Sequence, residues 1–324
     1  MEKVQLGSSG IRASALAMGS DVLGSKIDRA TTFKLLDFYA DHGGNLIDTA
    51  NFYASWLPGC QGGESESVIG AWMRERGNRD RLLISSKLAF DYPGSLGGLT
   101  PHEIEKECEK SLKRLQTDRL DIYHAHRDDF DTPQEETMAA FHRLVKAGKV
   151  RLLGASNLPL WRIAQANVIA EANGWTKYQV IEQRYTYVRP RHGADFGPQI
   201  FLSEDVKAYA KHTGVALVAY SVLLSGAYSR SERPLPAQFA GPDSDERIAT
   251  LKAVASELGV SPHQVVIAWM RQSDPAVLPI IAASRIEQLQ ENINALKLRL
   301  SDEQMKRLSS AGNPVILEAW LQPT

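Results

Sequence analysis

LLISSKLAFDYPGSLGGLTPHEIEKECEKSLKRLQTDRLDIYHAH, residues 82–126, contains one complete strand–helix–strand unit. The apolar run at 82–89 stops at a loop carrying the glycines of PGSLGG. A helical stretch then opens at Thr100, where the hydroxyl caps the first turn, Pro101 takes the first helical position and Glu103 completes a capping box. A second apolar run, LDIYHAH at 120–126, follows. The same alternation continues in both directions. Further strand candidates lie at 15–20, 45–50, 150–156, 178–185, 215–223 and 276–283, with amphipathic stretches between them. In the helical stretch 131–149, Thr132 is expected to cap, Pro133 to follow, and Gly148 to end the helix. Eight strands, each followed by a helix or long connection, predict an α/β chain folded as a single (β/α)8 TIM barrel over residues 1–324. A doubly wound open sheet shares the βα alternation. Against it, no G-x-G-x-x-G links a strand to a helix, and the length suits one barrel.

Composition narrows the function classes. The chain is 43% apolar and 23% charged, enough for a sizeable core, with a net charge of −1. No basic stripe or interleaved aromatic platform is present, so nucleic acid is not an expected partner. The first residues, MEKVQLGSSGIRAS, lack the apolar segment of a secretory signal, and no apolar run approaches the roughly 18 residues that span a bilayer. Cys60 and Cys108 form no metal-type pair and suggest a reducing compartment, so a cytoplasmic location is expected. Quaternary structure leaves no signal.

In a barrel of this kind chemistry gathers at the C-terminal ends of the strands. The second strand candidate ends at Asp48, the third carries Lys87 and the fourth ends at His126, with Tyr53 in the loop after Asp48. Neighbouring strands would bring these four together. The set suits hydride transfer to a carbonyl. A free phenol, with a pKa of about 10, is a poor proton donor at neutral pH. A neighbouring ammonium favours the phenolate and is expected to lower that value. Asp48 would anchor Lys87, and a neutral His126 would donate a hydrogen bond to the substrate oxygen. Taken singly, Asp48 also suits a helix cap, Lys87 a salt bridge, Tyr53 a half-buried core aromatic and His126 a structural histidine. His124 and His126 form an H-x-H, but no companion ligand set accompanies it, so no metal is expected. Schiff-base chemistry at Lys87 is opposed by Asp48, which keeps the amine charged.

These residues sit in segments that resemble the aldo-keto reductases along nearly the whole chain. LIDTANFY (46–53) is similar to that family's D-T-A-x-x-Y, SSKLA (85–89) to its lysine segment, and LDIYHAHRDD (120–129) to its D-L-Y-x-x-H-x-x-D. LLGASN (152–157), VAYSVLLSG (218–226) and AASRIEQLQENINAL (282–296) resemble its G-x-S-N, its loop after the seventh strand and its C-terminal cofactor segment. The resemblance implies a catalytic tetrad at Asp48, Tyr53, Lys87 and His126, with NADP(H) across the barrel mouth and a small carbonyl or alcohol as substrate. It implies that Gly19 and Ser20 border the cofactor. Ser156 and Asn157 would hold the nicotinamide carboxamide and Tyr220 would stack on the ring. Backbone amides around Ser221, Leu223, Ser225 and Gly226 would take the pyrophosphate. Ala282, Ser284, Arg285, Gln288 and Asn292 would hold the adenosine end, with Ser284 and Arg285 near a helix start that favours phosphate. The same family includes potassium-channel β-subunits, a branch to which this chain is expected to be related, so a cofactor-binding regulatory subunit is the alternative.

Three features depart from the family pattern. Glu182 stands where a glutamine is usual, with Gln183 beside it, and side-chain alternation allows only one of them to face the cofactor. Glu182 is the expected one. Val222 replaces a usual proline. The loop YASWLPGCQGGESE (53–66) is long, so Trp56, Leu57 and Pro58 are expected to overhang the substrate pocket. Arg127 and Tyr228 are further candidate substrate contacts.

Overall fold

The structure is a computed structural model and describes residues 1–230 and 232–313. A hairpin, β1 (Lys3–Gln5) and β2 (Arg12–Ser14), precedes the barrel. The barrel strands are β3 (Ala17–Gly19), β4 (Leu46–Asp48), β5 (Leu83–Leu88), β6 (Leu120–Ala125), β7 (Val150–Ser156), β8 (Tyr178–Arg184), β9 (Ala216–Tyr220) and β10 (Val277–Ile281). They close in chain order, with β10 returning to β3, and every neighbouring pair is parallel. The (β/α)8 barrel expected from the alternation is therefore present. Around it run α1 (Arg29–Asp41), α2 (Glu64–Arg76), α3 (Pro101–Leu115), α4 (Gln134–Lys146), α5 (Leu160–Ala172) and α6 (Glu204–Thr213). Then α7 (Pro242–Leu258) and α8 (Pro262–Gln272) fill the connection to β10, and α9 (Ile286–Asn294) and α10 (Asp302–Ser310) follow it. Among the described residues no helix is long and apolar enough to cross a membrane.

Two apolar layers hold this arrangement. Inside the barrel, Ala17, Leu46, Leu83, Ile122, Leu152, Val180, Ala216, Val218 and Leu278 pack together, and Leu6 and Ala13 of the hairpin segment join them from the N-terminal end. The hairpin thus plugs the barrel floor, so the usable opening is at the other end. Outside, Ile47, Ile84, Tyr123, Leu153 and Ile181 from the opposite strand faces pack under the helices.

The capping expectations hold in part. Thr100 does accept from the Glu103 amide at 3.3 Å, with Pro101 opening α3. The Glu103 carboxylate does not close a box, because it accepts from Lys106 and Ser95 instead. Thr132 does not cap α4. Its hydroxyl donates to Asp129 at 2.7 Å, and the helix starts after Pro133 without a side-chain cap. Gly148 takes the left-handed φ of 73° just past that helix, as its position implied.

Strand register decides what the barrel mouth contains. Lys87 lies opposite His124, His124 opposite Gly154, and Ser156 opposite Glu182. Between Leu153 and Gly154 the β7–β8 register slips by one residue, which resets the inward phase of β8. Glu182 consequently points inward, within 3.4 Å of Lys87. Gln183 points outward and donates from Nε2 to the Leu158 carbonyl at 2.9 Å.

Candidate active site

Each polar group of the opening motif is held by its strand end. Asp48 terminates β4 and is buried; its Oδ1 accepts from Ser85 at 2.9 Å, and its Oδ2 pairs with the Lys87 ammonium. Lys87 is buried completely on β5. Its Nζ also donates to the Thr49 carbonyl at 3.0 Å and to the Tyr53 hydroxyl at 3.2 Å. The Tyr53 hydroxyl lies 3.4 Å from Asp48 Oδ2. His126 follows β6, and its amide donates to the Leu88 carbonyl at 2.8 Å. Its ring meets the Tyr53 ring edge-on at 5.9 Å, and its buried Nδ1 has no protein partner. The structure therefore brings all four expected residues to one point.

The charge balance is less simple than the sequence suggested. Burial alone would discharge Lys87, but Asp48 and Glu182 outweigh it and hold the amine above its ordinary value. Burial, then Lys87 and His124, push the His126 pKa well down, so this imidazole is neutral. The expected lowering of Tyr53 is not what the site produces. Burial first, then the charges of Asp48, Glu182 and Asp21, push the phenol well above its ordinary value. Three carboxyl groups outnumber the one ammonium that faces them. Glu182 itself is raised to about 8 by burial and by Asp48, with Lys87 opposing.

A cavity of about 980 Å³ opens beside these groups at the C-terminal ends of the strands. Asp48, Tyr53, His126 and Glu182 line it, and Lys87 sits behind that wall. Of the residues expected to border a cofactor, Gly19, Ser20, Asn157, Tyr220, Ser221, Leu223, Ser225 and Gly226 are on the wall. So are Ala282, Ser284, Gln288 and Asn292. Ser156 is buried beneath it, and Arg285 is exposed just before α9, outside the wall. Trp56 lines the cavity and stays 50% exposed, whereas Leu57 and Pro58 do not reach it.

Two substrate candidates are corrected. Tyr228 is 1% exposed, and its hydroxyl is occupied by Thr186 at 2.6 Å and the Val188 amide at 3.1 Å. It is a core residue whose hydroxyl has the partners that a buried phenol needs. Arg127 stacks on Phe90 at 5.1 Å and leans toward Asp91, outside the cavity lining. The residues that do wall the cavity near Trp56 are Phe52 and Phe90, stacked at 4.7 Å, and Phe196 lines it elsewhere, beside Phe201 and Phe239. Phe52 was legible only as part of LIDTANFY. Arg230 and Arg233 were also missed; they follow the small-residue loop in SRSER, and both line the cavity.

The donor set fits an anionic dinucleotide. Ser221, Leu224, Ser225 and Gly226 have positive φ of 57°, 47°, 55° and 98°, a run of left-handed residues of the kind that turns backbone amides toward an anion. Arg230 lies against Gly226, where an added Cβ would meet the Arg230 Nε at 3.1 Å, and Arg233 donates to the Ser225 carbonyl at 2.7 Å. His263 lines the same cavity with a buried Nε2 that has no protein partner. Two expected contacts are internally engaged. The Asn157 amide accepts from Tyr220 at 2.7 Å and Ile200 at 3.2 Å, and donates to the His126 carbonyl at 3.0 Å and to Ser156. The Gln288 Oε1 accepts from the Ser284 amide at 3.0 Å. Among the described residues no group of three or more His, Cys, Asp and Glu side chains is placed to hold a metal ion.

Comparison with known proteins gives a consistent set. A protein 32% identical over 94% of this chain and 80% of its own length is the aldo-keto reductase ausK of Aspergillus calidoustus. Norsolorinic acid reductase A of Aspergillus parasiticus is 31% identical over 94% of the chain and 79% of its own. The NADP(+) aryl-alcohol dehydrogenase of Phanerodontia chrysosporium is 31% identical over 93% and 83%. A sequence model described as the Aldo/keto reductase family matches residues 15–313, nearly the whole barrel with its mouth included, and the chain belongs to that family.

Proposed function

We propose that this protein is an NADP(H)-dependent oxidoreductase acting on the carbonyl of an aldehyde, ketone or sugar, with Tyr53 as the proton donor. The observation that carries the reading is the Lys87 ammonium touching both Asp48 and the Tyr53 hydroxyl at the wall of a dinucleotide-sized cavity. The nicotinamide, when bound, supplies the hydride. The wall around Ser221–Gly226 would hold its pyrophosphate, and Tyr220, reaching the cavity beside Asn157, would take the ring.

Tyr53 keeps its proton at neutral pH because burial and the surrounding carboxyls disfavour the phenolate. That suits an acid that must be loaded before substrate arrives. A developing alkoxide is far more basic than a phenolate, so proton transfer from Tyr53 runs downhill once charge builds on the carbonyl oxygen. Lys87, at 3.2 Å, then stabilises the negative charge left on the phenol oxygen. The neutral His126, across the mouth, is available to orient that carbonyl oxygen.

Phe52, Trp56 and Phe90 favour a ring-bearing substrate at this mouth, and one relative is named for aryl alcohols. The test is NADPH consumption against a panel led by aryl aldehydes and including aliphatic aldehydes, ketones and sugars. Turnover on at least one class is expected. Tight NADPH binding without turnover on any of them refutes the enzyme reading and supports a cofactor-binding regulatory subunit.

A further inference from the structure

Beneath the tetrad lies a second carboxyl group that the proton-transfer reading leaves without a task. Glu182, on β8, is buried yet borders the cavity. Its Oε1 lies 3.4 Å from Lys87 Nζ, and its Oε2 faces His124 Nε2 at 3.8 Å. An ammonium has three N–H donors. On Lys87 the near acceptors are already three: Asp48 Oδ2, the Thr49 carbonyl and the Tyr53 hydroxyl. Glu182 is a fourth neighbour, and only the Tyr53 contact stands outside the strand framework that fixes the other two.

The groups that face Glu182 leave it short of positive charge. Asp48 comes from β4, Lys87 from β5 and His124 from β6, with His126 just beyond. Tyr220 comes from β9, and Asp21 and Tyr53 reach in from loops. Ser156, its register partner on β7, carries no charge. His124 cannot balance the carboxylate. Burial, then Lys87, keep its imidazole neutral, and its Nδ1 has no partner. One ammonium therefore serves two buried carboxyls, and a second negative charge there is expensive unless a proton neutralises it.

We propose that Glu182 is a positioning residue: as a carboxylate it competes with Tyr53 for the Lys87 ammonium and switches carbonyl reduction off, and with a proton on it that ammonium is left to Tyr53. In the protonated state the third Lys87 N–H is free for the Tyr53 oxygen. In the ionised state the carboxylate draws that N–H toward β8 and adds a negative charge beside a phenol that must itself become anionic. Reduction then falls as pH rises through the range where Glu182 ionises, about 8. This inference rests on the reductase reading, and its test separates the two.

The experiment is a pH–rate profile of NADPH-dependent carbonyl reduction for the wild type and Glu182→Gln. Alongside it, infrared difference spectra over the same pH range follow the C=O stretch of protonated carboxyl groups. An amide cannot ionise, so the alkaline fall of the variant should move up by at least about one pH unit, a tenfold change in proton concentration, whatever its absolute rate. The protonated-carboxyl band that disappears near pH 8 in the wild type should be missing from the variant. An unchanged alkaline limb overturns the proposal. If the wild type reduces no carbonyl at all, the reductase reading has failed, and the infrared band alone decides. Its presence near neutrality, and its loss in Glu182→Gln, keeps the protonated Glu182, while its absence from the wild type overturns it.

Discussion

Replacing Lys87 by methionine keeps the length of the side chain and removes its charge, which isolates what the ammonium does. In the wild type it is buried against Asp48 and Glu182, both also buried. Breaking a buried ion pair by removing one partner costs about 3–5 kcal/mol, because the other charge is left without compensation. Glu182 already favours its protonated form, so the charge left stranded is that of Asp48, and only a proton can neutralise it. The variant's folded state therefore binds protons more tightly than its unfolded state. By linkage, stability then falls as pH rises, and the loss is largest at the alkaline end of the range, about pH 8. It should shrink by about 1.4 kcal/mol per pH unit as the pH drops toward the unfolded carboxyl pKa of about 4. Urea unfolding of both proteins at intervals between about pH 5 and pH 8, followed by tryptophan fluorescence, measures this directly. A destabilisation under about 1 kcal/mol at the alkaline end, the range of an exposed pair, or one that grows toward acid pH, refutes the reasoning.

Three further outcomes are expected. Tyr53→Phe removes the hydroxyl that Lys87 contacts; reduction should drop by about 10²–10⁴-fold with the dissociation constant for NADPH near normal, and a variant retaining most of the rate would rule out the proton-donor role. Arg285→Ala should weaken NADPH more than NADH in a fluorescence titration; equal losses would place the 2′-phosphate elsewhere, with Arg230 and Arg233 as the guanidinium groups on the cavity wall among the described residues. Gly154→Ala puts a Cβ 2.2 Å from Nδ1 of the buried His124 ring, so the ring must move at a cost of about 1–3 kcal/mol in chemical denaturation, and an unchanged midpoint would mean that this contact is slack.

Local pattern was enough for much of this molecule. Short apolar runs separated by capped amphipathic stretches identify eight strands and their order, because periodicity along the chain reports which faces are buried. The polar residues that interrupt those runs at their ends, Asp48, Lys87 and His126, mark the mouth for the same reason. A charge at a strand end needs either solvent or a partner. The hairpin that plugs the floor escaped the reading, since two three-residue strands carry too little periodicity to register.

What the chain alone determined, then, is the succession of elements and the residues that end them, properties set by neighbours in sequence. Tertiary closure decided the rest. The register slip at Gly154 turned Glu182 rather than Gln183 toward Lys87, and packing drew Tyr228 into the core and sent Arg127 out to Phe90. It also reversed the expected drift of Tyr53, because a pKa is the sum over every charge and every lost water molecule around the group. Those neighbours come from strands and loops far apart in the chain, and only the closed barrel brings them within a few ångströms.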